Sequence, residues 1–225
     1  MEQIPSPARE RLLYLMRLLE RSSGDVPVTS AQIQALTGWA SHTVRKDISF
    51  LSGGKAEEGG VGVESIGSSE GYAPEALAAR IKQALGLEKR RKYCVVGLGR
   101  LGSAFLDVQE FGESEFELAA GFDTNVNRTE ILKSAAPLYP AYKMAEVISR
   151  FGIEIALLCV PAAAAQSSAE RLAAAGIRGV LNFAPVLVTI PAGVAVRNVY
   201  LADELRALSI KIGDSDHSQS EKKNE

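Results

Sequence analysis

A glycine-rich turn between an apolar run and a helical run constrains the fold of this chain most strongly. Residues 93–96 suit a buried strand, and the turn that follows has the spacing G-x-G-x-x-G before a helix-compatible run from Ser103. In such a turn the first glycine permits the tight bend, the second lets a pyrophosphate approach, and the third lets helix and strand pack closely. The N–H groups that open the helix would face the phosphates. A glycine turn without a ligand is the alternative. The candidate dinucleotide site consists of Gly97, Leu98, Gly99, Arg100, Leu101 and Gly102.

An acidic residue follows the second apolar run, residues 116–122, at the position expected for a ribose-binding carboxylate. Asp123 lies about 20 residues beyond the glycine turn, as in dinucleotide-binding folds. A carboxylate there accepts hydrogen bonds from the ribose hydroxyls and repels a 2′-phosphate, which favours NAD over NADP. Arg128 weakens this preference, because an arginine can accommodate that phosphate. A plain aspartate at a strand end is the alternative interpretation of Asp123.

Composition and charge give expectations about nucleic-acid binding, metal binding and cellular location. The chain has 225 residues and a net charge of −2, so any nucleic-acid binding must depend on a local patch. Cys94 and Cys159 lie in apolar, strand-like runs, which indicates buried thiols and suits a reducing cytoplasm. We expect no metal site, since His42 and His217 have no ligand-like companions. We also expect no signal peptide and no membrane span, and hence a cytoplasmic protein.

Residues 1–88 are predicted to form a helix-turn-helix domain. Helical spacing covers residues 7–21, 31–37 and 42–51, with Thr29 or Ser30 capping the second helix and Ser41 capping the third. The third helix would enter the major groove of DNA with its N-terminal residues. A three-helix packing module with a solvated charged face is the alternative. The candidate DNA contacts on this helix are Ser41, His42, Thr43, Arg45 and Lys46.

A glycine-rich, acidic stretch follows the third helix. Two short strands around residues 59–65 would form the hairpin of a winged helix. Lys55 is a further candidate DNA contact, but four glutamates surround it, which argues against strong phosphate binding by this wing. Residues 73–85 return to helical periodicity. The basic run at 89–92 marks the join to the next domain; it is either a solvated linker or an attachment to the DNA backbone.

Residues 89–212 alternate strand-like and helical runs, which predicts an α/β fold: a doubly wound parallel sheet covered on both faces. The predicted strands are 93–96, 118–122, 153–160, 179–182 and 194–198, and the predicted helices are 103–109, 144–150, 164–175 and, more weakly, 127–135. Ligands of such sheets bind beyond the carboxyl ends of the strands. Besides the glycine turn and Asp123, the candidate cofactor-binding residues at these ends are Val160, Pro161, Asn182, Phe183 and Ala184.

The segments that line this crevice carry no recognisable catalytic set. A dehydrogenase needs a proton donor or acceptor beside the reacting carbon, and only Tyr139, Tyr142 and Tyr200 are modest candidates. A dinucleotide site without catalytic groups indicates a sensor rather than an enzyme, so we expect no catalytic residue. Two alternatives remain: a small NAD(P)-dependent oxidoreductase, and a dinucleotide-binding regulator that no longer binds DNA.

The last periodic segment, residues 200–212, is an amphipathic helix. Leu201, Leu205, Leu208 and Ile212 share one stripe, which would dock on a partner subunit or pack back on its own sheet. The polar tail at 213–225 is expected to be disordered.

Over residues 4–212 the chain resembles the Rex family of bacterial redox-sensing transcriptional repressors. The most specific matches are TVRKD at 43–47, VGLGRLGSA at 96–104, IALLCVP at 155–161 and GIRGVLNFAP at 176–185. The resemblance implies a winged-helix DNA-binding domain joined to an NAD(H)-binding Rossmann domain, in a homodimer that exchanges its C-terminal helix. It also implies repression of genes through operator DNA when NADH is scarce, and release of that DNA when NADH binds.

The resemblance further implies roles for single residues. Arg45 and Lys46 would lie on the recognition helix, and Arg17 on the first helix would link the DNA-binding domain to the cofactor domain through a charged network. The chain departs from the family at two points. Its wing is longer and acidic, with Val63 where the family has a tyrosine, and Tyr200 stands where the family has an aspartate. Asp203 follows one turn later, so the candidate interdomain switch consists of Arg17, Tyr200 and Asp203.

Overall fold

The chain forms two compact units, Met1–Lys89 and Arg90–Glu225. The computed structural model describes residues 4–21, 26–53, 67–68, 70–107, 115–190 and 192–221. Among the described helices, none is both long enough and apolar enough to cross a membrane.

The N-terminal unit is a set of helices with a small hairpin. Its elements are α1 (Ser6–Arg21), α2 (Ser30–Thr37), α3 (Ser41–Ser49), a 3₁₀ turn (Phe50–Gly53), β1 (Gly67–Ser68), β2 (Gly71–Tyr72) and α4 (Pro74–Ala84). The apolar stripe of α1 packs against α3 and α4, and the core includes Leu12, Leu15, Val44, Leu77 and Ile81. The strands β1 and β2 pair in antiparallel fashion. The hairpin predicted around residues 59–65, and Lys55 before it, lie outside the described residues.

The helix-turn-helix has one cap that differs from its prediction. Thr29 caps α2 in a capping box with Gln32, as predicted. The prediction that Ser41 caps α3 is wrong: Ala40 holds the cap position, and Ser41 is the first helical residue. The Ser41 hydroxyl donates instead to the Gln34 side-chain oxygen at 2.6 Å. The Gln34 oxygen also accepts the Ser41 backbone N–H at 2.9 Å. A side chain of α2 therefore caps the first N–H of α3.

The C-terminal unit is a six-stranded parallel sheet with helices on both faces. Its strands are β3 (Arg91–Val96), β4 (Phe116–Asp123), β5 (Leu138–Pro140), β6 (Ile155–Leu158), β7 (Gly179–Asn182) and β8 (Ala195–Asn198). Their spatial order is β5-β4-β3-β6-β7-β8, the order of the dinucleotide-binding Rossmann fold. The order reverses between β3 and β6, and ligands of such sheets bind beyond the carboxyl ends of the strands at that point.

Helices and apolar side chains cover both faces of this sheet. The helices between its strands are α5 (Arg100–Ala104), α6 (Val126–Ile131), α7 (Met144–Phe151) and α8 (Ala162–Ala174). A last helix, α9 (Leu201–Glu221), follows β8. Alternate residues of β3 point to opposite faces, so Cys94 joins one core cluster and Tyr93 joins the other.

Several segments differ from their predictions. The short edge strand β5 was not predicted, because Pro137 and Pro140 argue against a strand. Helix α5 begins at Arg100, three residues before the predicted start at Ser103. Helix α9 continues to Glu221, beyond the end at Ile212 that the amphipathic pattern predicts. Extending an existing helix by one residue costs far less than starting one, so the polar segment follows the amphipathic one into the helix.

Candidate functional site

The glycine turn after β3 has a backbone geometry that other residues would strain. Gly97 has φ +90°, in the left-handed region, and a Cβ there would lie 2.6 Å from the carbonyl oxygen of Cys159. A Cβ on Gly102 would lie 1.8 Å from the carbonyl oxygen of Gly97. The start of α5 therefore packs directly on the turn, and both glycines are required by the fold.

Gly99 differs from its two neighbours in this turn. Its φ is −69°, and a Cβ there would meet no protein atom within 4 Å. The fold itself therefore does not require glycine at this position, and the space above it is open. No described side chain caps α5, so its first N–H groups are available to a ligand. This cradle fits the pyrophosphate of a dinucleotide.

Asp123 ends β4 beside the turn and is 5% exposed. One carboxylate oxygen, Oδ2, accepts the Leu98 backbone N–H at 2.7 Å, and the other, Oδ1, accepts the Asn125 backbone N–H at 2.7 Å. The guanidinium of Arg128 lies 3.3 Å from Oδ2. The two backbone donors fix the carboxylate at the edge of the turn, where the ribose of a bound dinucleotide would lie.

Val160 and Pro161 follow β6 on the other side of the turn. A Cβ on Gly97 would approach the Val160 side chain to 2.8 Å, so this valine packs on the turn. Pro161 is exposed and precedes α8. The two residues supply an apolar wall next to the predicted dinucleotide site.

Asn182 ends β7 and is almost fully buried, at 1% exposure. Its amide nitrogen donates to the Val186 carbonyl and to Asn198 Oδ1, both at 2.8 Å, and its oxygen accepts the Ala184 N–H at 3.0 Å. Both amide hydrogens are thus in use. Asn182 therefore shapes the loop after β7 and would serve a cofactor by holding that loop in place.

The loop after β7 carries the remaining predicted cofactor residues. The ring of Phe183 packs on Phe105 with centroids 5.0 Å apart, and Ala184 is buried in the core. Sequence reasoning missed a second support of this loop. The Gln166 side chain of α8 donates to the Thr189 carbonyl at 2.8 Å and accepts the Thr189 N–H at 3.0 Å. Nothing in the sequence spacing links these two residues, which are 23 positions apart.

The two thiols near the turn are poor nucleophiles. Burial raises the pKa of the Cys94 thiol far above its ordinary value, and burial raises the pKa of Cys159 to about 12. A thiol, unlike a thiolate, reacts slowly. Within the described residues, no group of three or more His, Cys, Asp and Glu side chains could hold a metal ion.

The helix α3 of the N-terminal unit presents a polar face. Val44 and Ile48 are buried in the core, while His42, Arg45 and Lys46 are exposed. Ser41 and Thr43 are partly exposed at the start of the helix. The predicted DNA contacts of α3 therefore occupy one end and one face of a helix, as major-groove recognition requires.

An ion pair fixes α3 to α1. Arg11 donates two hydrogen bonds to the carboxylate of Asp47, at 2.6 and 2.9 Å, and Asp47 is 4% exposed. The hydrogen bond to Asp47 raises the pKa of Arg11. A bidentate pair of this kind restricts the orientation of both helices, so α1 sets the direction of the polar face of α3.

The predicted switch residues make contacts within their own units. The Arg17 guanidinium lies 5.5 Å from the centroid of the Tyr14 ring, and that ring packs edge-on against Trp39. Asp203 accepts a hydrogen bond from Arg206, whose guanidinium lies 6.0 Å from the centroid of the Tyr200 ring.

Helix α9 exposes its apolar stripe. The exposed fractions of Leu201, Leu205, Leu208 and Ile212 are 71%, 59%, 55% and 56%. Apolar side chains in a continuous stripe are rarely left in water by a monomeric protein. The stripe is therefore a candidate surface for association.

Known proteins resemble this chain in both sequence and fold. A family model described as a CoA binding domain matches residues 88–186. The redox-sensing transcriptional repressor Rex of Thermus thermophilus is 37% identical over 213 residues, which are 93% of this chain and 94% of that protein. The protein of the same name from Streptomyces coelicolor is 34% identical over 208 residues, 92% of this chain and 76% of the other.

Solved structures of a Rex-family repressor called RSP match along nearly the whole chain. One covers 97% of this chain and 98% of the other, with a TM-score of 0.80 and 26% identity. RSP in complex with β-NADH matches with a TM-score of 0.81, covering 98% and 99% of the two chains at 26% identity. RSP in complex with β-NAD⁺ and operator DNA matches with a TM-score of 0.79, covering 97% of each at 26% identity.

Proposed function

The chain belongs to the Rex family of redox-sensing transcriptional repressors, and on that premise we propose that it binds operator DNA when NADH is scarce and leaves it when NADH binds. The observation that carries the proposal is the glycine cradle: a turn that tolerates only glycine at Gly97 and Gly102 and leaves open space at Gly99. The relatives are named as repressors rather than enzymes, and we assign no catalytic residue. A protein that acts on the bacterial chromosome works in the cytoplasm.

The cofactor-binding roles follow from the geometry of the turn. The backbone around Gly99 and the first N–H groups of α5 hold the pyrophosphate, since the positive end of a helix attracts anions. Asp123 accepts the hydrogen bonds of the adenosine ribose, and Leu98 and Asn125 hold its carboxylate in place. The nicotinamide ring supplies a charge that depends on its redox state: it is positive when oxidised and neutral when reduced.

The apolar residues beyond β6 and β7 favour the reduced form. Val160, Pro161 and Phe183 offer an apolar surface, and Asn182 and Gln166 hold the loop that carries Phe183 in one shape. Placing a positive ring against such a surface costs free energy, because the charge loses water without gaining a partner. A neutral ring avoids that cost, so we expect tighter binding of NADH than of NAD⁺.

The DNA-binding role belongs to α3. We assign base and phosphate contacts to Arg45 and Lys46. The shorter side chains of Ser41, His42 and Thr43 make further contacts to the DNA. The ion pair between Arg11 and Asp47 holds this face in a fixed orientation.

The protein would act as a homodimer. The exposed stripe of α9 provides a surface that a second chain would cover. NADH would shift an equilibrium between domain arrangements that do and do not match two successive major grooves, about 34–36 Å apart. Arg17, Tyr200 and Asp203 would transmit that shift.

A gel-shift assay with the DNA upstream of the chain's own coding region tests the function. We expect a retained protein–DNA complex. Micromolar NADH should dissociate this complex, and NAD⁺ should dissociate it poorly. NADH binding in calorimetry without retention of any promoter fragment, even at low salt, would reject a repressor.

Two variants assign the DNA-binding face. Arg45→Ala removes an exposed cation of α3 and should abolish retention while NADH affinity stays unchanged. Arg150→Ala, on α7 of the other unit, is the matched control and should affect neither. Equal loss of DNA and NADH binding in Arg45→Ala would show that Arg45 serves folding instead.

A further inference from the structure

An ion pair at the ribose end of the dinucleotide site joins Arg128 to Asp123. Asn125 caps α6 by accepting the Asn127 N–H at 3.1 Å, and the first turn of this helix brings Arg128 back toward the end of β4. Its guanidinium lies 3.3 Å from Asp123 Oδ2. An arginine thus stands next to the carboxylate that distinguishes a free ribose hydroxyl from a phosphorylated one.

The three donors to this carboxylate are not equivalent. The N–H groups of Leu98 and Asn125 belong to the backbone, lie at 2.7 Å and cannot leave without unfolding the turn. Arg128 is longer at 3.3 Å, and its side chain is 51% exposed, whereas that of Asp123 is 5% exposed. Arg128 is therefore the donor that can turn to another anion while the carboxylate stays fixed.

A phosphate on the adenosine ribose would meet both groups. The buried carboxylate of Asp123 repels it, and an arginine is the side chain best suited to bind it, because its planar fork matches phosphate oxygens. We propose that Arg128 is a specificity-determining residue that lets the site take a ribose-phosphorylated dinucleotide, NADPH, as a second and weaker ligand. This inference rests on the dinucleotide-binding role proposed above and adds a ligand to it.

Calorimetry with NADH and NADPH on the full-length chain tests the inference. The unaltered chain should bind both, NADH more tightly. Arg128→Ala should lower NADPH affinity about tenfold or more, the usual effect of losing one charge-assisted hydrogen bond. NADH affinity should change less than threefold, because the ribose hydroxyls are bound by Asp123.

A matched control and a second variant complete the test. Arg178→Ala removes another exposed arginine that is paired with a glutamate, 3.1 Å from Glu154, at the amino-terminal end of β7. It should leave both affinities unchanged. Asp123→Asn keeps a hydrogen-bond acceptor but removes the negative charge, and it should raise NADPH affinity relative to NADH. CoA, whose ribose phosphate is at the 3′ position, serves as a third ligand and should bind more weakly than NADPH.

The outcomes separate this inference from the function itself. NADH binding with no detectable NADPH binding overturns the role of Arg128 alone. A parallel loss of both ligands in Arg128→Ala also overturns it, because the arginine would then contact a part that both ligands share. Failure of the unaltered chain to bind NADH would overturn the proposed function and this inference with it. CoA binding tighter than NADPH would overturn the choice of ligand.

Discussion

Replacing Gly99 by alanine separates ligand binding from folding at the glycine turn. The backbone at Gly99 is extended, with φ −69°, and a methyl group there would meet no protein atom within 4 Å. Alanine also restricts the unfolded chain more than glycine does, which stabilises the fold by about 0.4–1 kcal/mol at a compatible site. We therefore expect an unchanged or slightly raised melting temperature, by about 1–4 °C.

The same methyl group should weaken NADH binding strongly. It occupies the space through which the pyrophosphate reaches the N–H groups of α5. Losing one charge-assisted hydrogen bond costs about 1.5–3 kcal/mol, which is roughly a 10- to 150-fold loss of affinity. Calorimetry measures the affinity, and thermal unfolding of the same samples measures the fold.

Gly102→Ala is the matched comparison for Gly99→Ala. Its Cβ would lie 1.8 Å from the Gly97 carbonyl oxygen, so α5 must move and the melting temperature should fall together with the affinity. Normal NADH affinity in Gly99→Ala would refute the placement of the pyrophosphate at this turn.

Three further predictions concern other parts of the chain. Asp47→Asn should lower the unfolding free energy of the N-terminal unit by about 1–3 kcal/mol, since Arg11 is only 29% exposed, and urea titrations followed by the fluorescence of Trp39 would detect it; an unchanged midpoint would show that the pair contributes nothing. A chain that ends at Tyr200 should be monomeric in light scattering, whereas intact dimers would refute the role of α9. Burial raises the pKa of Cys94 in the folded chain above its value in the unfolded chain. The stability that this buried thiol contributes below about pH 8.5 should therefore be lost as the pH rises, at up to about 1.4 kcal/mol per pH unit. Cys94→Ala should flatten this alkaline decline in denaturant titrations, and equal slopes would contradict the assignment.

Much of the fold could be predicted because its signals are local. A parallel strand is buried on both faces, so β6 (Ile155–Leu158) is a continuous apolar run that the sequence shows directly. The turn between β3 and α5 has a glycine pattern that follows from its own backbone geometry. By contrast, β5 has only three residues, the last of them Pro140, and its place at the edge of the sheet is set by β4.

At the candidate site, the sequence predicted single residues but not the contacts between residues that are distant in sequence. Asp123 comes directly after an apolar run, and its position was sufficient to propose a ribose contact. The contacts of Asn182 were not predictable, because its partner Asn198 lies 16 residues away on another strand. Ser41 was assigned the wrong role for the same reason, since the Gln34 side chain that holds it belongs to the preceding helix. Interactions that depend on tertiary proximity leave no trace in local spacing.

The uncovered stripe of α9 has a genetic consequence. If a second chain covers Leu201, Leu205 and Leu208, chains from two alleles in one cell will mix freely, because the stripe is far from α3 in sequence and unaffected by its substitutions. A chain with Arg45→Ala would then pair with a normal chain, and the mixed dimer would have only one intact DNA-binding helix. Such an allele should be dominant over the wild type, and removing residues 201–221 from the same allele should make it recessive.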